Sequence, residues 1–315
     1  MTDAILVLVG PTAIGKTALS LRIAARFGCE IISMDSMQVY RHMDIGTAKA
    51  SREEQAQVRH HLIDIADPDE QYNAAAFVRD ALSAIKAIRS RGAIPLITGG
   101  TGLYLSALNK GLFHTVQVSS EIRQTLQARL EQEGREAMFR ELQDRDPDTA
   151  ARIHPNDSQR LLRGLEVFMA TGIPWSAHIR KQQEARPTVQ VQPQLQLGLH
   201  CDRTQLRERI RLRSEEMMQL PFRKEVESLL ALGYNKELPS MQSLGYRHML
   251  RHLQGDWDRD TACDALVTDT RRYAKRQLTW FRANKDIHWF DKMESDAIYP
   301  LIERFLDENR VQAGA

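Results

Sequence analysis

Residues 4–9 form an unbroken apolar run, Ala-Ile-Leu-Val-Leu-Val, in which β-branched residues alternate with leucine. Closed by Gly10, such a run fits a strand covered on both faces of a parallel sheet. Apolar stretches at 30–34, 61–65 and 93–98 predict three more strands, and amphipathic periodicity at 17–27 and 73–90 predicts helices between them. Strand and helix alternate, so the expected fold class is α/β, a doubly wound parallel sheet.

The pattern changes near residue 114. Helical periodicity at 121–133, 135–145 and 158–171, punctuated by Pro147, Pro155 and Pro174, predicts an all-helical insertion over 114–195 between two parts of a core, 1–113 and 196–315. Residues 195–201 fit a strand returning to the main sheet, followed by helices at 204–218, 223–232, 246–253 and 259–282. Pro221 is expected to end the first of these after Leu220, because a proline lacks the amide and clashes with the preceding turn.

Composition narrows the class. In 315 residues, 27 % are charged and 42 % hydrophobic, and no apolar stretch reaches the roughly 18–20 residues of a membrane span, so disordered, collagen-like and membrane-spanning chains are excluded. The net charge of +2 hides an uneven distribution: residues 201–290 hold 17 basic and 13 acidic groups, while the segment from Asp291 onward holds 3 and 6. Cys29, Cys201 and Cys263 are too far apart for a CxxC zinc site, which fits a reduced, cytoplasmic protein. The N-terminal residues carry neither a basic region nor an apolar stretch of export-signal length.

The chemistry begins where the first strand stops. Gly10-Pro11-Thr12-Ala13-Ile14-Gly15-Lys16-Thr17 fits GxxxxGK[ST] between a strand and a helix, the P-loop context. Its glycines let backbone amides curl around phosphate oxygens, the helix N-terminus adds partial positive charge, Lys16 supplies a full one, and the Thr17 hydroxyl can reach Mg²⁺. Asp35 follows the second strand and Thr98-Gly99-Gly100-Thr101-Gly102 follows the fourth, so three loops converge at the carboxyl edge of the sheet. A kinase or nucleotide hydrolase would use such a set, with a strand-terminal Asp on Mg²⁺.

Taken together, GPTAIGKT at 10–17, DSMQVYRHMDIGTAK at 35–49 and GGTGLY at 99–104 resemble the tRNA dimethylallyltransferase (tRNA isopentenyltransferase) family. Gln159-Arg160-Leu161-Leu162-Arg163, Gln242-Ser243-Leu244-Gly245-Tyr246-Arg247 and Lys275-Arg276-Gln277-Leu278-Thr279-Trp280-Phe281-Arg282 are similar to that family's later motifs, in the same order. The resemblance implies transfer of a dimethylallyl group from dimethylallyl diphosphate to N6 of the adenosine 3′-adjacent to the anticodon, in tRNAs reading codons that begin with U. It makes Asp35 the general base, places Thr101 at the reaction centre, and turns the P-loop into a diphosphate site with Mg²⁺ as cofactor. It assigns tRNA contacts to Asp35, Ser36, Met37, Gln38, Thr101 and Arg123 and to the three later motifs, and implies no protein partner, a monomer.

Arg209 and Arg213 are four residues apart on one helix face and are similar to family arginines near the diphosphate, although a solvated basic face has the same spacing. The chain departs from the family pattern at Ile14, Leu162, Gly164, Ser243 and Pro221, and it has no Cys or His cluster after Asp291, as expected of the bacterial form. Two other enzymes remain open: a P-loop small-molecule kinase, and a prenyltransferase acting on free AMP or ADP. A regulatory, RNA-binding P-loop protein is a non-enzymatic alternative.

Overall fold

The structure is a computed structural model that describes residues 3–111, 116–184 and 191–312. The chain forms two compact units, Met1–Leu108 with Val191–Ala315, and Asn109–Gln190. The junction expected at 113/114 lies outside the described residues. The core resumes by Val191 rather than at 196, so Leu195 belongs to a core strand instead of the insertion.

The first part of the core runs β1 (Ile5–Val9), α1 (Lys16–Phe27), β2 (Cys29–Met34), α2 (Arg52–Gln57), β3 (His60–His61), α3 (Ala74–Ser90), β4 (Ile94–Gly99) and α4 (Gly102–Lys110). The inserted unit contains α5 (Ser120–Arg145), α6 (Pro147–Ala150), α7 (Ser158–Thr171) and α8 (Trp175–Glu184). The chain returns through β5 (Gln194–His200), α9 (Arg203–Gln219), α10 (Phe222–Ala231), α11 (Tyr246–Leu253), α12 (Arg259–Arg282), β6 (Ile287–Asp291), a 3₁₀ segment at Lys292–Ala297 and α13 (Ile298–Gln312).

The six strands pair in parallel in the order β3-β2-β4-β1-β5-β6. Along β1, Leu6 and Leu8 enter a core shared with α1 and α13, whereas Ile5, Val7 and Val9 enter a second core shared with α3 and α4. This two-residue alternation, with every side chain buried, is how an unbroken apolar run serves both faces of one sheet. Truncating Leu6 or Leu8 to Ala would cost about 2–5 kcal/mol.

Two expectations change. The strand predicted at 61–65 is only His60–His61, because Leu62 and Asp64 take left-handed backbone angles (φ 62 and 55) that no strand accommodates. The helices predicted at 121–133 and 135–145 are the arms of α5, kinked at Gly134 (φ 78, ψ 160). After α9 ends at Gln219, Leu220 is extended, as the residue before a proline prefers, and Pro221 immediately precedes α10. Within the insertion, α5 and α7 share a small core of Leu126, Met138, Leu142, Leu161 and Leu165. Gly164 lets the helices pack closely there, since a Cβ would lie 2.8 Å from Leu142 Cδ1 and push that side chain aside.

Candidate active site

The phosphate loop is shaped by its backbone. Gly10 sits at φ 153, where a Cβ would come within 2.9 Å of the Leu199 carbonyl oxygen, and Ala13 is held at φ 64, an uncommon conformation outside glycine. Ile14 packs fully buried in the core shared with α1, so its departure from the family pattern is an anchor beneath the loop. Among the described residues no side chain caps the first amides of α1, which begins at Lys16, and this leaves them and the helix dipole for an anion.

Cations gather on this loop. Lys16 Nζ donates to the carbonyls of Gly10 (3.0 Å) and Pro11 (2.9 Å). Desolvation within the site, reinforced by Arg213 and opposed by Asp35, pushes its pKa down to about 8. Arg209 Nε donates to the Ala13 carbonyl at 2.7 Å, and Arg213 Nη1 donates to Thr12 Oγ1 at 2.9 Å. Burial lowers the Arg213 pKa, against the pull of Asp35 and Glu216. The i, i+4 pair on α9 therefore faces the phosphate loop rather than open solvent.

Asp35 follows β2 directly. Its Oδ1 accepts from the amides of Met37 (2.8 Å) and Gln38 (3.3 Å), a tight local turn that leaves Oδ2 without a hydrogen-bond partner among the described residues. Thr101 is stitched to the same exit: its amide donates to the Met34 carbonyl (3.3 Å) and its Oγ1 accepts from Ser36 N (3.2 Å). Gln38 is used internally, because Ser33 Oγ donates to its Oε1 (3.0 Å) and its Nε2 donates to the Ala48 carbonyl (3.3 Å). In this fold both ends of that amide tie β2 to residues 47–48, instead of being displayed for a base edge.

Two cavities of about 500 Å³ and 290 Å³ meet at these loops. The larger holds Lys16, Thr17 and Arg209; the smaller holds Ser36, Leu244, Arg247 and Arg276. Both are lined by Thr12, Ala13, Asp35, Thr47, Arg213 and Tyr273. An anion site and a second recess thus share one carboxylate, an arrangement suited to two substrates meeting from opposite sides.

Tyr273 is the residue the sequence reading left out. It interacts with Thr101 and Gln277, and burial followed by the nearby Asp35 charge pushes its phenol well up, so it stays protonated. Its signal is the four-residue spacing from Gln277, and Arg276 lies over its ring at 5.8 Å from the centroid.

The later motifs split by helix face. Lys275, Arg276, Thr279, Trp280 and Arg282 are exposed on α12, whereas Gln277 and Phe281 are buried and Leu278 packs against the core. Arg247 lines the smaller cavity, held by Asp269 at 2.5 Å, and Leu244 lies beside it. Tyr246 is fully buried, packs edge-on against Phe222 and donates to Glu225 at 2.6 Å, so it braces the fold where an RNA contact was expected. Gln242 donates to the Lys236 carbonyl, the Ser243 hydroxyl is buried, and Gly245 sits at φ 96 before α11. In the inserted unit, Arg123, Gln159 and Arg160 are exposed, Leu162 is half-buried, Arg163 pairs with Glu166, and Leu161 is in the local core. Leu161 is therefore a packing residue, not a surface for tRNA.

Comparison with known proteins shows the family of the chain. A family model described as IPP transferase matches residues 38–284. A tRNA dimethylallyltransferase of Desulfotalea psychrophila is 53% identical over 96% of this chain and 96% of its own length, and tRNA dimethylallyltransferase 2 of Syntrophus aciditrophicus is 46% identical over the same shares. Among solved structures, the tRNA isopentenylpyrophosphate transferase of Bacillus halodurans superimposes with a TM-score of 0.71 at 36% identity, covering 99% of this chain and 100% of that one. A eukaryotic dimethylallyltransferase captured acting on tRNA gives 0.74 at 27% identity, over 92% of this chain and 74% of that one. With the phosphate loop, the Asp35 turn and the Gly-rich loop assembled at one sheet edge and these likenesses running nearly end to end, the chain belongs to the IPP transferase family of tRNA dimethylallyltransferases.

Proposed function

We propose that the protein transfers the dimethylallyl group of dimethylallyl diphosphate to N6 of the adenosine 3′-adjacent to the anticodon, in tRNAs reading codons that begin with U. The observation that carries this reading is Asp35 at the meeting point of a cationic phosphate cavity and a second recess. Diphosphate lies against the loop amides, Lys16, Arg209 and Arg213, where charge developing on the leaving group is stabilised more than the ground state is. The adenine enters through the smaller cavity; an unpaired loop base is cheaper to draw out than one in a duplex.

The exchange balances simply. A bond forms between N6 and C1 of the prenyl group, the C1–O bond breaks with its electrons leaving on diphosphate, and the N6 proton passes to Asp35. Asp35 Oδ2, free of the turn that occupies Oδ1, is the oxygen placed to take it. Tyr273 lines both cavities and interacts with Thr101, whose Oγ1 accepts from Ser36 N, and on this reading the two orient the reacting groups. Mg²⁺ fits the oxygen donors of the larger cavity, where Thr17 lies and the buried Thr98 Oγ1 has no hydrogen-bond partner among the described residues. Bound at Thr17 with the diphosphate, it would neutralise charge on the leaving group.

The exposed cations of α12, Arg247 and the inserted unit hold the tRNA, and the protein works as a cytoplasmic monomer. Incubation with Mg²⁺, labelled dimethylallyl diphosphate and unmodified tRNA tests the reading, with label expected in tRNA. Label in free AMP or ADP instead, or ATP turnover on a small acceptor with none in tRNA, would overturn it.

A further inference from the structure

Gln277 lies in a segment that the family resemblance assigns to tRNA contact, yet its side chain points the other way. It is only 6% exposed, and its two amide ends reach two different catalytic loops. Oε1 accepts from the backbone amide of Thr12 in the phosphate loop at 2.8 Å, and Nε2 donates to the Gly100 carbonyl at 3.0 Å. Thr12 follows β1 and Gly100 follows β4, neighbouring strands whose loops have no short covalent connection. We infer that Gln277 is a positioning residue that fixes the phosphate loop against the Gly100–Thr101 loop, so that the donor and acceptor sides of the junction keep one spacing. This inference rests on the transferase reading above.

Glutamine suits the position chemically. It accepts from an N–H and donates to a carbonyl with one planar group; glutamate only accepts, lysine only donates, and asparagine is one methylene shorter. The two partners also settle the orientation of the amide, since the reverse placement would set donor against donor and acceptor against acceptor. Gly100 completes the fit: a Cβ there would lie 2.1 Å from Gln277 Nε2.

Thr12 is thereby held twice, through its amide from α12 and through its hydroxyl by Arg213 from α9. One turn before Gln277, Tyr273 borders both cavities. A loop held this way meets diphosphate without rearranging, which is what preorganised stabilisation of a leaving group requires.

The test uses the full chain with Gln277→Met, which keeps the volume and loses both hydrogen bonds, and Gln277→Glu, which keeps the acceptor and brings a carboxylate to the phosphate loop. Inorganic pyrophosphate affinity, KM for dimethylallyl diphosphate, kcat and tRNA affinity are measured on each. About a tenfold loss in pyrophosphate affinity and a matching rise in donor KM are expected for Gln277→Met, with a larger change for Gln277→Glu and tRNA affinity within about twofold. Weakened tRNA binding with unchanged pyrophosphate affinity would make Gln277 an RNA contact and overturn the inference, as would no change in either.

Gly100→Ala guards against a variant that fails to fold. It should disturb the same bridge from the other side, and the double variant Gly100→Ala with Gln277→Ala should be no worse than the poorer single one, whereas additive losses would contradict the bridge. If the wild type binds pyrophosphate but labels no tRNA, the transferase reading fails while the bridge can still be judged on pyrophosphate affinity alone.

Discussion

The two sides of the Asp35 junction are built differently. On the proposed reading the donor side is one contiguous stretch, residues 10–17, with Gly10, Ala13 and Gly15 at positive φ and arginines from α9 on its loop. The acceptor side is assembled from the 35–38 turn, the 44–48 loop, the start of α11 and one face of α12, and it is held by side chains from distant parts of the chain. Phosphate is a uniform ligand that backbone amides recognise well, whereas a base approaching from a folded RNA needs a surface gathered from several elements. The donor side should therefore respond to single charges as well as to the Gln277 bridge that holds its loop, and the acceptor side mainly to residues that hold loops in place.

Lys16→Ala should be the most damaging change on the donor side, raising KM for dimethylallyl diphosphate by about 10²-fold with tRNA affinity kept, because a buried charge facing the diphosphate is lost. Equal losses for donor and tRNA would show that the two sides are not separable. Glu225 is the counterpart on the acceptor side: its carboxylate accepts from the amides of Asp44 (3.1 Å), Ile45 (2.8 Å) and Gly46 (3.2 Å) and from Tyr246 Oη (2.6 Å). Glu225→Gln should lower stability by about 1–3 kcal/mol in urea unfolding and weaken tRNA use more than pyrophosphate binding. An unchanged unfolding midpoint would remove Glu225 as the support of that loop.

Acidity gives a subtler contrast. Lys16 titrates near 8 in the folded protein, below its ordinary 10.5, so raising the pH from 8 removes the charge that diphosphate needs. Pyrophosphate affinity should weaken by up to about tenfold per pH unit above 8, with protons taken up on binding, and Lys16→Arg should abolish the inflection. In the same window, between about 8 and 10.5, the unfolded chain binds the proton that the folded one has lost, so this group makes stability rise with pH. The smallest effect belongs to the exposed face of α12: Lys275→Ala should reduce the salt slope of tRNA binding by about 1 and leave donor KM alone.

Local signals explain what was legible. The β1 run, the phosphate loop and the α12 periodicity are written in consecutive residues, and each forms as expected. β6 was missed because Ile-His-Trp-Phe-Asp is short and mixed, and its burial comes from pairing with β5 rather than from any pattern of its own. Tyr246, Leu161 and Gln277 were grouped with surface residues because a motif marks a stretch of helix without saying which face looks inward. The Arg209 and Arg213 spacing fits a solvated face and a phosphate site equally, and only the fold brings α9 over the loop. The apolar content of 61–65 points to a longer strand because it cannot reveal the positive φ at Leu62.

In the proposed reaction Asp35, at the junction, removes the proton from the accepting nitrogen. The most direct test of this step is a single-turnover experiment with tRNA already bound and saturating dimethylallyl diphosphate, comparing wild type with Asp35→Asn and measuring tRNA affinity on the same samples. The expected transfer rate for Asp35→Asn is lower by about 10²-fold or more, with tRNA affinity nearly unchanged. An unchanged rate, or a loss explained by weaker tRNA binding alone, would contradict it.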